Sequence, residues 1–186
     1  MGKRLIFLFI TLAGIFFFNC KDESLEVSPE ERIKSIKDNY RKKIKDHYEI
    51  QDSSSSKEKA IEKFLNSIAL GKKDIYSCSK EEYLEMFLPN SVDEKTLTAG
   101  MEPEKAWEIT KFRRDSALQS LESKILNKNF VIQDIKWKRE NRELHNLIGH
   151  QVGSVIINSN NNEITIEEIK LVIEHNNQFK VCVYAR

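Results

Sequence analysis

The chain has little of the two residues that punctuate folds, with 6 Gly and 3 Pro in 186 residues. Past residue 19 the glycines are Gly71, Gly100, Gly149 and Gly153, too scattered for a loop that cradles a phosphate. An excess of either charge is also missing. With 30 Lys+Arg against 29 Asp+Glu the formal charge is +1, which excludes strong electrostatic capture of nucleic acid by the chain as a whole. No apolar run reaches the roughly 20 residues of a stable transmembrane helix, and 32% charged residues exclude a multi-span membrane protein. Metal-ligand spacing is absent too: His145 and His150 stand near Glu143 in a stretch read as irregular, with no Cys beside them. No metal, cofactor or catalytic residue is expected.

What is present is uneven. Residues 1–19 hold five of the ten Phe and no acidic residue. Met1 to Arg4 is a short positive start, Leu5 to Phe18 is uninterrupted and free of charge, and Asn19-Cys20 is followed by Lys21-Asp22-Glu23. This is the three-part layout of an export signal. As a helix the 14 residues from Leu5 to Phe18 reach only about 21 Å, short of the ~30 Å hydrocarbon core. Cleavage by ordinary signal peptidase needs small residues one and three before the cut, and none lies between Ile15 and Asn19.

Phe16-Phe17-Phe18-Asn19-Cys20 resembles the lipobox of bacterial lipoproteins, in the relaxed form of spirochaete lipoproteins. It departs from the usual pattern at Phe17, where Leu is common, and at Asn19, where Gly or Ala is common. The resemblance implies cleavage before Cys20, with lipid on its sulfur and on its new amino group. Each buried acyl methylene contributes about 0.8 kcal/mol, so two or three chains make attachment effectively permanent. The expected location is the bacterial cell envelope, lipid-anchored, with the outer membrane favoured over the inner. The Lys, Ile and Asn richness fits an AT-rich bacterial genome.

Cys78 and Cys182 then remain, in a compartment where disulfides persist. They either form one bridge, or Cys182 is a small packed apolar residue and Cys78 a lone surface thiol. Residues 20–28 read as a tether. A capping box at Ser28-Pro29-Glu30-Glu31 opens a helix over 29–50 with a thin stripe of Ile33, Ile36, Tyr40, Ile44 and Tyr48. Its basic run, Arg41-Lys42-Lys43 and Lys45, is either a solvated face or a contact for anionic lipid headgroups.

After the Ser-rich linker 51–56, Ile61, Phe64, Leu65 and Ile68 mark an amphipathic helix stopped by Gly71. A short helix from Ser79 ends at Pro89. A long one runs from Pro103 to about Lys128 with Trp107, Phe112, Leu118, Leu121 and Ile125, Arg113-Arg114 being assigned to its wet side. From Phe130 the period becomes two, giving four expected strands at 130–138, 151–158, 163–174 and 178–185. The last three form a meander through Asn-rich turns. In the third strand Ile164 and Ile166 are out of step with Ile169, Leu171 and Ile173, so an extra residue near Glu167-Glu168 is expected to bend the sheet. The fold class is α+β: helices first, then a curved antiparallel four-stranded sheet.

Lys59 to Lys73, with Ala60, Phe64-Leu65, Ser67 and Gly71, is similar to the opening helix of NTF2-like (cystatin-like) domains, and residues 57–186 follow the order of elements of that family. Ser67 stands where a second Ala is usual. The resemblance implies a cone between sheet and helices, which in some members carries an inward Asp with His or Tyr. The candidates here are Asp134, His150, His175, Tyr184 and Trp137. Asp134 lies in a strand of mixed faces, and His175 abuts a turn where it is expected to be wet. A pocket, if there is one, involves Trp107, Phe112, Asp134 and Trp137. If it is plugged, Trp107, Phe112 and Trp137 fill it.

The expected function is non-catalytic: an envelope lipoprotein held to the membrane through lipid on Cys20, whose α+β domain binds an unknown protein or a small apolar ligand and no nucleic acid. A structural, oligomerising envelope protein is the alternative, and a small NTF2-like hydrolase or isomerase the distant one. Cys20→Ala is expected to move the protein from the detergent to the aqueous phase in detergent phase partition; a variant that stays in detergent overturns the lipid assignment.

Overall fold

The computed structural model describes residues 28–73 and 75–186. The signal peptide 1–19, Cys20 and the tether up to residue 27 lie outside the described residues. Among the described residues, no helix is long and apolar enough to cross a membrane.

Helix α1 (Pro29–Arg41) opens on its capping box, with the Glu31 backbone N–H donating to Ser28 Oγ and the Ser28 N–H donating back to the Glu31 carboxylate. It is shorter than the helix expected over 29–50. Past Arg41 the chain becomes an irregular arm, because Tyr48 finds partners that a helix does not offer. Its hydroxyl accepts the Lys45 N–H at 2.8 Å, and its own N–H donates to His175 Nε2 at 3.1 Å.

Helix α2 (Lys57–Ala69) buries Ile61, Phe64, Leu65 and Ile68 completely. It ends in a Schellman motif: Gly71, at φ +68°, donates to Ile68 O while Lys72 donates to Ser67 O. Helix α3 (Lys80–Glu82), a π-helical turn (Tyr83–Phe87) and α4 (Leu88–Asn90) follow one another without a break. Pro89, expected to stop this helix, instead sits at the second position of α4, directly after the π-helical turn, and the helix ends one residue later at Asn90.

Helix α5 (Pro103–Ile125) ends at Ile125 rather than near Lys128, and faces inward through Ala106, Arg114, Ala117, Leu121 and Ile125. Two sequence assignments fail here. Phe112 is 76% exposed, being out of phase with Leu121 and Ile125 on a 3.6-residue helix. Arg114, assigned to the wet side, is 3% exposed, since it falls four-plus-three residues before Leu121 on the buried row.

The sheet is antiparallel and has six strands rather than four: β1 (Val131–Trp137), β2 (Arg142–Leu144), β3 (Leu147–Ser159), β4 (Asn162–Ile166), β5 (Ile169–His175) and β6 (Gln178–Tyr184). The 13-residue strand β3 is its spine. One end of β3 pairs with β2 and β5, the other with β1 and β4. The expected third strand is thus two strands. Relative to β3, the register shifts by one residue between β4 and β5, at Glu167-Glu168, so the extra residue makes a corner. The Asn turns adopt the left-handed backbone at Asn160, Asn161, Asn176 and Asn177. Gly153 meets a close approach: it is the extra residue of a bulge in β3 opposite Lys136-Trp137, and a Cβ there would lie 2.9 Å from Lys136 O.

Helices cover both faces of β5 and β6. Adjacent residues of a strand point to opposite sides. Val172 and Val181 join the cluster of α2 and the C-terminal half of α5, with Phe64, Leu121 and Tyr184. Ile173 and Cys182 join the other, with Tyr40, Tyr48, Met86 and Leu88. The outer edge of β6 is bridged by Ser54, opposite Phe179, and by Ser77, beside Val181, which shields it from pairing with another chain.

The β4–β5 corner is pinned by Glu168, which is buried and accepts from Ser120 Oγ and Lys124 Nζ, both at 2.7 Å. Burial alone raises its pKa, but Lys124, Ser120 and a backbone N–H together hold it below the ordinary glutamate value of 4.5. A lowered folded-state value contributes stability above the unfolded pKa, and that contribution is lost as pH falls through the folded one. Glu168→Gln is therefore expected to cost about 1–3 kcal/mol in urea denaturation at neutral pH. The gap from wild type should narrow as pH is lowered below 4.5 and through the depressed folded-state value; a gap that does not narrow on acidification means the carboxylate charge is not what holds the corner.

Candidate functional site

The side chains that the sequence grouped as a pocket do not converge. Trp107 packs at the margin of the first cluster and Trp137 at the margin of the second. Phe112 points to solvent, and Asp134 is exposed beside the β1 bulge at Gln133. Neither an open pocket nor a plug is formed by these residues. Trp137 carries the Lys57 ammonium 4.4 Å from its ring centre. Tyr184 is a core residue, its ring 5.0 Å from that of Phe64. Four grooves at the surface carry charged side chains on their walls, for example Glu58 and Glu62 beside β1, and Lys111, Asp115 and Glu122 along α5.

The buried polar groups are more organised than the grooves. Cys78 and Cys182 are joined in a disulfide, with Cα atoms 4.8 Å apart, and both are buried, so Cys78 is no surface thiol. Arg114 reaches up from the inner row of α5 and holds both of their backbone carbonyls. Nη1 donates to Cys78 O and Nη2 to Cys182 O, each at 2.7 Å. The guanidinium lies 5.0 Å from the ring centre of Tyr184, 5.2 Å from Trp107 and 5.8 Å from Tyr83. Three aromatic faces and two carbonyl dipoles thus surround a cation, a favourable substitute for water. Nε has no acceptor. Nothing in the spacing of Cys78, Arg114 and Cys182 points to this arrangement; the only signal is an Arg on the apolar row of α5.

A second polar group lies where the arm crosses the end of the sheet. Asn90 donates to Tyr48 Oη and Met86 O, and its Oδ1 accepts from the Asn146 N–H. Asn146 Nδ2 donates to Lys45 O. His175, expected to be wet, is 5% exposed and lies against Asn146 O through Nδ1 at 2.8 Å. The turn after β5 bends the chain back without opening the ring to water, because the arm covers it.

Two ion pairs complete the set. Lys180, 3% exposed, donates to both oxygens of Glu82 and to Gln51 O, tying β6 to the start of α3. His150 Nε2 lies 2.6 Å from Glu174 Oε2, with Trp137 and Phe179 around its ring and no partner at Nδ1. His145 instead bonds Asp93, which Arg41 and then His145 hold below the usual carboxylate range. His145 and His150 therefore serve separate carboxylates. Among the described residues, no three His, Cys, Asp or Glu side chains are grouped to hold a metal.

Comparison with models of protein families, with curated proteins and with solved structures found no match for this chain.

The Arg114 clamp should be visible as stability. Arg114→Met removes the donor from two buried carbonyls at about 1–3 kcal/mol each, so about 2–6 kcal/mol is expected in urea denaturation with the disulfide intact. Arg114→Lys should recover less than half, because one ammonium does not span both carbonyls. A Lys variant as stable as wild type refutes the two-carbonyl role.

Proposed function

We propose that the chain is a lipid-anchored protein of the bacterial cell envelope, held through Cys20, whose α+β domain works by binding a protein and not by catalysis. The observation that carries this reading is the N-terminal sequence: a basic start, an apolar run too short to span, and Asn19-Cys20 at its end, followed closely by a domain whose first helix is capped at Ser28. We also read the sheet as a variant of the NTF2-like cone. In support, the spine strand changes partners halfway along its length, the β4–β5 corner bends the sheet, and α2 ends at Gly71 as the resemblance implies. On this reading α1 and the arm over 42–50 are an addition to that family's common core.

Between a protein and a small apolar ligand, the side-chain arrangement favours the protein. The buried apolar side chains of the two clusters pack against each other, and four surface grooves are walled in part by charged groups. Leu70, Leu126 and Val131 meanwhile stand exposed, and we read Val131, on the strand β1, as a position on the face offered to such a partner. Purified from cell membranes, the protein should have the mass of residues 20–186 plus two or three acyl chains. A photo-crosslinking residue at Val131 should give discrete protein adducts in intact cells. An unacylated chain overturns the anchor; absence of adducts together with a co-purifying apolar small molecule overturns the protein-binding reading in favour of a ligand.

A further inference from the structure

His175 is held in a way that only one protonation state of its ring satisfies. Nε2 accepts the backbone N–H of Tyr48 at 3.1 Å, and Nδ1 lies 2.8 Å from the Asn146 carbonyl, which accepts and never donates. The proton therefore sits on Nδ1, and Nε2 offers its lone pair. Neither partner can reverse its role, because both are main-chain groups. The Asn176 amide nitrogen adds a further contact 3.1 Å from Nε2. A second proton on the ring would point Nε2–H at the Tyr48 N–H.

Tyr48 is the point where the arm is fastened. Its N–H goes to His175, its hydroxyl accepts from Lys45 N–H and from Asn90, and its ring packs edge-on against the His175 ring at 5.4 Å. The second tie, Lys45 O to Asn146 Nδ2, runs through the residue whose carbonyl receives the His175 proton. We propose that His175 is an acid-operated latch: proton uptake breaks its bond to Tyr48 and frees the arm over residues 42–50 from the end of the sheet, while the helices and the rest of the sheet stay folded.

The charged and titratable groups facing this ring are few. From the arm come Asp46, which shares a groove with His175, and His47, whose ring is 5.8 Å away and whose Nδ1 meets Asn176. From β5 comes Glu174, already bonded to His150. From β6, Lys180 is committed to Glu82, and from the β2–β3 turn His145 to Asp93. Neither Asp46 nor His47 shares a hydrogen bond with the ring, so what a second proton meets is the donor conflict at Tyr48.

Hydrogen exchange by mass spectrometry on the full folded domain tests this at about pH 7.5 and about pH 5, a range across which an imidazole takes up its proton. After correction for the intrinsic pH dependence of exchange, protection over residues 42–50 should drop about tenfold or more at the lower pH, with α2 and β3 unchanged. His175→Gln, whose amide can accept and donate without titrating, should show no such drop, and His47→Gln should keep it. Constant protection in wild type, an equal drop in His175→Gln, loss of the drop in His47→Gln or simultaneous loosening of α2 and β3 each overturns the latch. Where His175→Gln does not fold, the NMR titration of the wild-type His175 ring must share its midpoint with the opening of the arm, and different midpoints overturn the proposal equally.

Discussion

The hold of Arg114 on the carbonyls of Cys78 and Cys182 is the interaction around which the other parts are arranged. Tyr83 and Trp107, which flank the guanidinium, belong to the first hydrophobic cluster, and Tyr184 belongs to the second. The cation therefore stands at the seam between two cores that lie on opposite faces of β5 and β6. Its two carbonyl partners sit on β6 and on the strand-like stretch beside it, so the same group fixes how α5 crosses the sheet edge. The disulfide joins those two stretches covalently, and Cys78 N–H donates to Val181 O at 2.9 Å beside it. A cross-link 104 residues apart in sequence limits the unfolded chain far more than the folded one.

Buried charge is expensive, and this domain uses it at the places where the sheet departs from regularity. Glu168 stands at the corner that breaks the third expected strand, Lys180 at the shielded edge, and Arg114 under the seam. Each has hydrogen bonds from more than one element: Glu168 from α5 and the corner itself, Lys180 to the linker and to α3, Arg114 to both cysteines. Pairing of this kind adds little to total stability compared with apolar packing, but a partner left alone in a dry site is costly. The charges thus fix which arrangement is adopted more than how strongly it is held.

The sequence made some of this legible and hid the rest for physical reasons. Capping boxes and the apolar rows of α2 and α5 are local signals, and the helix starts at Pro29 and Pro103 and the Gly71 stop follow from them. The offset of Ile166 against Ile169 is local as well, and it locates the corner, although not the division into two strands. Strand β2 was missed because Arg142-Glu143-Leu144 is three residues long with no alternation to read. The arm was read as helix because Ile44 and Tyr48 continue the spacing of Ile36 and Tyr40. What overrides that spacing is a bond to His175, 127 residues away, which no local pattern contains. Arg114 was misplaced by a rule that is right for most arginines; its position on the row of Ala117 and Leu121 was the available clue.

The same contacts bear on how an anchored domain would meet a membrane. Seven residues lie between Cys20 and Ser28, and the eight Cα-to-Cα steps fully extended reach at most about 29 Å. A domain on so short a stalk stays within reach of the headgroups, where free basic side chains gain about 1 kcal/mol each near anionic lipid. Two of the four cations in the basic run at the end of α1 are already engaged, however. Arg41 is shared between Asp38 and Asp93, and Lys43 lies 3.8 Å from Glu85. Transferring these cations to lipid would leave the three carboxylates behind, like charges facing the same surface. Arg41 and Lys43 are thus better suited to fastening α1 to its own domain than to binding a bilayer, which leaves Lys42 and Lys45 as the cations of the run that face solvent, and if Cys20 is lipidated, the acyl chains supply most of the attachment.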